Sequence, residues 1–304
     1  MNPITVAAAD IGSNAIRFLV VQFTHDQRAV VLHQSREALR LGHDVFLTGS
    51  ISPASEDRTV AAMSAFGQLL RTHAVNGHRV VATSALRESS NGSEVIDAVR
   101  ARTGIHIELI DGLEEARLAF VAIRSRLQLG EDPWVLADLG GGSLELSRVS
   151  QNGITDTISL PIGAVRLIET VGAEAAIADY EQRLVSFESA LAGAAALRQP
   201  LMGMIATGGS ADALARVTGV GVDKQGVYRL PLRAVRDAAE RLAATPVAER
   251  GRKFGLQADR ADVILPAALV YQRVAELAGA DHIVVPNVGV KEGIVLDLLA
   301  NSGS

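Results

Sequence analysis

Two stretches of this chain repeat a pattern that few folds accommodate. ADIGSNAIRFLVV (9–21) aligns with ADLGGGSLELSRV (137–149), with alanine, aspartate, an aliphatic residue and glycine coinciding. Asp10 and Asp138 lie 128 positions apart. Each stretch reads as a strand ending beside an acid, a Gly-rich turn and a second strand. Two unrelated hairpins could each need glycine, but the shared acid before the turn favours duplication. A Gly-rich turn between strands points backbone N–H groups into a concavity with no side chain over them, and such nests bind anions, phosphate above all. Gly12, Ser13 and Asn14 make the first turn, and Gly140, Gly141, Gly142 and Ser143 the second. The missing side chains at Gly141 and Gly142 let a phosphate approach the main chain. Asp10 and Asp138 supply hard oxygen ligands for Mg²⁺. Glu145 shares a strand face with Ser143, at period two, and can join them.

The bulk numbers narrow the class. A chain of 304 residues is comfortable for two domains. It is 48% hydrophobic but only 4% aromatic, so its core is built from Ala, Val, Leu and Ile. Lys plus Arg number 29 against 34 Asp plus Glu, a net charge of −5, which argues against a general nucleic-acid binder; no DNA partner is expected. Without cysteine there is no disulfide and no thiolate metal site. The seven histidines show no His-x-x-x-His pair, so no zinc site is read. The N-terminus lacks a basic segment followed by a long apolar run, and no stretch reaches the roughly 18 uninterrupted apolar residues of a membrane span. A cytoplasmic protein with no membrane partner is expected.

The pattern along the chain predicts strands over 4–10, 16–23 and 29–39, with HDQR as the first hairpin turn. Ser52-Pro53 opens a helix to about 73. A buried strand over 79–85, a helix over 92–103 and a strand over 105–110 follow. Asp111 with Glu114 three residues on matches a capping box and starts a helix to 127. After a polar linker at 128–132 come strands over 134–139, 144–150 and 153–160, helices over 163–198, and strand and turn over 202–209. A long helix over 260–279 is expected to kink at Pro266. A strand over 282–287 and a helix over 290–300 end the chain. Strands alternating with helices imply an α/β protein. A third Gly turn, ATGGSADAL (206–214), stands between a strand and a helix, where Gly208, Gly209 and Ser210 would present helix N-terminal amides to a ligand.

The two repeated turns resemble the paired phosphate motifs of the actin-like ATPase superfamily. More narrowly, AADIGSNAIRFLV (8–20), ATSALRES (82–89), ELIDGLEEARLAF (108–120) and LADLGGGSLELS (136–147) resemble the exopolyphosphatase / guanosine pentaphosphate phosphohydrolase (Ppx/GppA) family. LPIGAVRL (160–167), ATGGSADALA (206–215) and VGVKEGIVLDLL (288–299) fit less sharply. The resemblance implies two ribonuclease-H-like domains with an active site in the cleft between them. These would be residues 1–127, with the C-terminal helix 290–304 packed on them, and residues 128–289. The chain resembles the short, two-domain members, and a homodimer is implied.

The family hydrolyses a terminal phosphoanhydride with water, Mg²⁺ and a catalytic glutamate, which the resemblance places at Glu115. Mn²⁺ is an alternative ion, and a monovalent cation can accompany it. On residues alone the choice of Glu115 is even, because acids favour any first helical turn. Glu114 sits at the capping-box position, where it serves its own helix terminus, and this leaves Glu115 for the water. Arg87 follows a buried strand, and its fork suits phosphate oxygens; the alternative is an ion pair with Glu88. Asp10, Asp138 and Glu145 would hold the metal. Gly12, Ser13, Asn14, Ser143 and the Gly amides would line the phosphate path, with Arg17 assisting. Arg36, Arg40 and His43 read as a solvated polar loop rather than an extended polyphosphate track. Departures from the family pattern are Ala15 for a frequent Ser, and Asn287 and Lys291 where Ser or Asp and Arg are common.

The expected reaction is therefore release of the terminal phosphate from inorganic polyphosphate. The runner-up is the 5′ phosphate of guanosine pentaphosphate. A non-catalytic alarmone- or polyphosphate-binding regulator conflicts with the intact acids, and a kinase of the same superfamily lacks a clear acceptor base.

Overall fold

Alternation along β1 (Ile4–Ile11) sets the first sheet: Val6 and Ala8 pack toward one face, Ala7, Ala9 and Ile11 toward the other. A strand buried on both faces reads as a continuous apolar run, as ITVAAADI does. The computed structural model describes residues 3–26 and 28–302. Gln27 of the expected hairpin turn, and positions 303–304 of the expected C-terminal helix, lie outside the described residues. The chain forms two units, one joining the residues up to Val121 with those from Val290 onward, the other spanning Ala122–Gly289.

In the first unit, β1, β2 (Ile16–Phe23) and β3 (Ala29–Glu37) form an antiparallel meander. Then come α1 (Leu41–Thr48) and α2 (Pro53–Thr72), where the Ser52 side chain accepts from the Ser55 amide and Pro53 stands at the first helical position. β4 (Gly77–Ala82) lies parallel beside β1, and α3 (Ser84–Glu88), α4 (Gly92–Thr103), the two-residue β5 (Glu108–Leu109) and α5 (Gly112–Arg124) complete the run. The strand order is β3-β2-β1-β4-β5.

The second unit opens with the meander β6 (Trp134–Leu139), β7 (Leu144–Ser150) and β8 (Gly153–Leu160). It continues through α6 (Ala164–Val171), α7 (Ile177–Val185), α8 (Glu188–Gly193), β9 (Met204–Thr207), α9 (Gly209–Thr218), β10 (Tyr228–Pro231), α10 (Leu232–Ala243), α11 (Val247–Phe254), α12 (Ile264–Leu277) and β11 (His282–Val285). Its order is β10-β11-β9-β6-β7-β8, with β9 parallel to β6. Both sheets thus contain a three-strand meander whose first strand is continued by parallel strands, the ribonuclease-H-like arrangement. The duplication visible in the turns is a duplication of topology. Finally α13 (Val290–Ser302) returns to the first unit, where Val290, Ile294 and Val295 pack with Val6, Ala8, Leu19, Val21 and Phe23. No helix among the described residues is long and apolar enough to cross a membrane.

Several expectations shift. The strand expected over 79–85 ends at Ala82, and Ser84 already begins α3. Of 105–110 only two residues pair as strand, although Ile105, Ile107 and Ile110 are buried. The helical stretch 163–198 is three short helices and a 3₁₀ turn. The long helix starts at Ile264 rather than 260, so Pro266 stands in its first turn, where a missing N–H costs no helical hydrogen bond.

Candidate active site

Each repeated turn is closed by one backbone hydrogen bond at the same place: Gly12 N–H to the Ala15 carbonyl at 3.1 Å, and Gly140 N–H to the Ser143 carbonyl at 2.9 Å. Each is then seized from behind by a helix. In the first unit, the Gly42 amide donates to the Ser13 carbonyl at 2.8 Å and the Arg40 amide to Asn14 at 3.0 Å. In the second, Ala164 donates to Gly140 at 3.1 Å, and Val165 and Arg166 to Gly141 at 2.9 and 3.0 Å. Arg166 Nε adds a bond to the Gly142 carbonyl at 2.9 Å. Helix N-termini carry unpaired donors and a partial positive charge; here they take up the carbonyls of the turn. Among the described residues, no acceptor serves the amides of Gly141 and Gly142. With carbonyls drawn to one side and amides left on the other, the second turn has the polarity of an anion nest.

Close approach demands glycine behind each turn. A Cβ on Gly163 would lie 2.2 Å from the Gly141 carbonyl oxygen and 2.3 Å from the Gly142 nitrogen. A Cβ on Gly42 would lie 2.9 Å from the Ser13 Cβ. Sequence reasoning missed both residues, and α1 with them. The available signal was a second, shorter repeat: Leu41-Gly42 and Ile162-Gly163, each an apolar residue and a glycine after the third strand of its meander. The polar loop expected around Arg36, Arg40 and His43 is corrected accordingly. Arg36 belongs to β3, His43 to α1, and Arg40 takes a left-handed backbone (φ 56°) that aims the helix at the turn.

Within the first unit, Ser13 Oγ is 2.8 Å from Ser84 Oγ, which joins the first turn to the start of α3. Arg87, on the same short helix, donates from Nη1 to the Ile110 carbonyl at 2.7 Å, just ahead of α5. Asp10, the metal ligand expected in this unit, pairs with Arg17 at 2.6 Å. Arg17 is directly opposite Asp10 on β2, so the neighbouring strand already supplies the counter-charge. Asp111 caps α5 by accepting from the Glu114 amide at 2.9 Å. The return half of the expected capping box does not form, because the Glu114 carboxylate is taken by Arg117 at 2.6 Å and Arg79 at 2.9 Å. These guanidinium groups, Arg117 foremost, hold Glu114 below the usual carboxylate range despite partial burial. Glu115, one position on, is buried, with 7% of its surface exposed.

In the second unit the position matching Arg17 is Glu145, directly opposite Asp138 on β7. Two carboxylates therefore face each other across neighbouring strands, 6% and 1% exposed; like charges so placed repel unless a cation lies between or a proton is shared. Ser159 Oγ donates to Glu145 at 2.7 Å. The Asp138 carboxylate also abuts the third turn: a Cβ on Gly208, whose φ is +91°, would come within 3.0 Å of Asp138 Oδ1. Ser210 lies in the first turn of α9 and accepts from the buried Arg260 at 3.2 Å. The Tyr271 hydroxyl donates to the Thr207 carbonyl at 2.9 Å. Burial first, then the nearby Asp138 and Asp212 charges, push its ionisation well above the usual phenol range. Asn287 has a structural reason: its φ is 55°, a left-handed conformation that asparagine tolerates, and the next residue, Val288, accepts a bond from Thr207 Oγ. Lys291 pairs with its neighbour Glu292. Among the described residues, no cluster of three or more His, Asp or Glu could hold a metal by itself.

The comparisons agree with this construction. The Ppx/GppA phosphatase family profile matches residues 20–302. Exopolyphosphatase 2 of Mycobacterium tuberculosis is 31% identical over 96% of this chain and 98% of its own length. Exopolyphosphatase 1 of Mycobacterium leprae is 26% identical over 94% and 87%. The crystal structure of an exopolyphosphatase from Cytophaga hutchinsonii superposes with a TM-score of 0.90 at 27% identity, covering 98% of both chains. Duplicated ribonuclease-H-like units, two acid-flanked glycine turns and a buried glutamate at the start of α5 thus accompany similarity along nearly the whole sequence, and the chain belongs to the Ppx/GppA phosphatase family, whose members hydrolyse phosphoanhydride bonds.

Proposed function

We propose that this chain is an exopolyphosphatase that releases the terminal phosphate of inorganic polyphosphate, with Glu115 activating the attacking water. The observation that carries this reading is the polarity of the glycine turns: carbonyls bonded to helix N-termini behind them, and amides at Gly141 and Gly142 left for phosphate oxygens. That both named mycobacterial relatives are exopolyphosphatases favours polyphosphate over guanosine pentaphosphate.

Phosphoryl transfer needs little covalent help from a protein; it needs alignment and charge neutralisation. Glu115 orients the water and takes its proton, an effect worth roughly 10²–10⁴-fold. Arg87, with one arm fixed on Ile110, presents the rest of its fork to the phosphate. Phosphate oxygens would be met by the amides of 141–142, Ser143, and the third turn at Gly208, Gly209 and Ser210. Mg²⁺ fits the facing pair Asp138 and Glu145. It is commonly held by one or two carboxylates plus substrate phosphates and water, so a complete protein cage is not required. When bound, it would offset charge on the transferred phosphoryl group. Asp10, which pairs with Arg17, is the third carboxylate proposed for the metal.

The test is phosphate release from long-chain polyphosphate and from guanosine pentaphosphate in parallel, with Mg²⁺ and with EDTA. We expect the higher kcat/KM on polyphosphate, and loss of activity on chelation. Preference for the nucleotide would reassign the substrate, and silence on both would overturn the reading. Glu115→Gln should still bind polyphosphate while turnover falls about 10²–10⁴-fold; undiminished turnover would remove Glu115 from the mechanism.

A further inference from the structure

The helix that carries Glu115 is fastened at its first turn by a closed ring of ion pairs. Arg79, on β4, reaches Glu114 at 2.9 Å and Asp297 at 3.4 Å. Arg117, one turn further along α5, reaches Glu114 at 2.6 Å and Asp297 at 2.8 Å. Arg79 is itself steadied by a two-armed contact to Glu108, with both distances 2.9 Å. The ring ties three elements together: β4, the start of α5, and α13. It straddles a crossing at backbone distance, since a Cβ on Gly293 of α13 would lie 2.0 Å from the Leu118 carbonyl of α5.

We propose that Glu114 is a positioning residue for the hydrolytic step, and that the ring Arg79–Glu114–Arg117–Asp297 sets the rotation of the first turn of α5 and, with it, the direction in which Glu115 points. This rests on the role of Glu115 proposed above. Successive side chains on a helix are about 100° apart, so holding this face of α5 by two contacts to other elements, Glu114 to Arg79 on β4 and Arg117 to Asp297 on α13, defines the azimuth of Glu115. A misplacement of about 1 Å at a reacting group can cost about 100-fold in rate. Isolated exposed ion pairs contribute little, whereas a closed network shared by β4, α5 and α13 fixes the orientation of the elements that carry it. The ring also consumes the Glu114 carboxylate, which leaves one base at the helix start rather than two competing neighbours. The last helix of the chain thereby takes part in aligning the base.

The experiment compares Glu114→Gln, Asp297→Asn, the double variant and Glu115→Gln, reading kcat and KM for polyphosphate and Tm. We expect Glu114→Gln to lower kcat about tenfold, a fraction of the full misalignment cost, with KM within about twofold of the parent. Asp297→Asn should do the same more mildly, and the double variant should be no slower than Glu114→Gln, because both act through one ring. Asp297→Asn guards against a folding artefact, since it alters only the far side of the ring. A small fall in Tm accompanies the lost charge pairs in either case; a purely structural role would instead make the losses of Tm and activity add in the double variant and would move KM with kcat. Unchanged kcat in both single variants beside an inactive Glu115→Gln would overturn the positioning role alone. Full turnover in Glu115→Gln would overturn the underlying reading and this inference with it.

Discussion

Gly42 and Gly163 each stand behind a glycine turn at a distance that leaves no room for a side chain. Asp10, Asp138, Glu145 and the Gly140–Gly142 run could be read directly, because acids beside glycines are a chemical pattern. Gly163 could not, because its reason is a distance to another segment. Its φ is −119°, an ordinary extended value, so any residue could adopt its backbone. What excludes a side chain is the Gly141–Gly142 main chain about 2.2 Å from where its Cβ would be. Gly163→Ala must therefore push the turn away from α6 or forfeit the bonds that draw its carbonyls back. We expect a loss of about 1–3 kcal/mol in stability, the usual cost of overpacking, together with at least a tenfold fall in phosphate release. Thermal unfolding and kcat/KM measured on one preparation check both. Parent-like values would mean that the turn does not need α6 against it. Asp10 teaches the complementary lesson. Its place in the repeat matches Asp138, yet the residue directly opposite on the next strand differs, Arg17 for Asp10 and Glu145 for Asp138.

Among the elements, legibility followed length and caps. The start of α2 was plain from Ser52-Pro53, a hydroxyl cap and a proline at the first helical position. The helix α1 was invisible: eight residues with no hydroxyl or acid at the cap, begun instead by Arg40 in a left-handed conformation. For α5 the start was right and the use of its acids half right. Asp111 caps the helix as read, while Glu114 turns to Arg117, a partner that i,i+3 spacing allows, and to Arg79, which is remote in sequence and which no local rule encodes. That arrangement predicts a pH dependence. Glu114 is held below its ordinary value, so the stability it adds is complete above pH 4.5 and is lost as pH falls through its folded-state value. With its partners partly exposed, the amount is about 1 kcal/mol. The parent should therefore unfold at a higher temperature than Glu114→Gln at pH 7, and the gap should close as pH falls below 4.5 and through the lowered folded-state value. A gap that persists at low pH would mean the carboxylate contributes through packing rather than charge.

The molecule as a whole is two copies of one topology, and that much was written in a thirteen-residue repeat. The repeat could announce the duplication because each copy needs the same strand, turn and strand to present backbone amides. It could not announce how the first copy is finished. The face of its sheet formed by Val6, Ala8, Leu19 and Val21 is covered by a helix that arrives only after the second copy is complete. Val290, Ile294 and Val295 are buried there, with Leu298 and Leu299 packed beside them. Fully burying a side chain of this size is worth about 1.5–3 kcal/mol, so the three buried residues alone reach the lower part of the roughly 5–15 kcal/mol of net stability that a domain possesses. A chain stopped after Gly289 retains every proposed phosphate and metal contact in sequence, yet it should fail to hold the first unit together. The expected result is an insoluble or partly unfolded product, with loss of protection in amide exchange confined to β1, β2 and α5 while β6, β7 and β9 stay protected. Adding residues 290–304 back as a separate peptide should restore protection in the first unit. Full protection of β1 and β2 without that helix would show that this face is stable uncovered, and that α13 does not complete the core of the first unit.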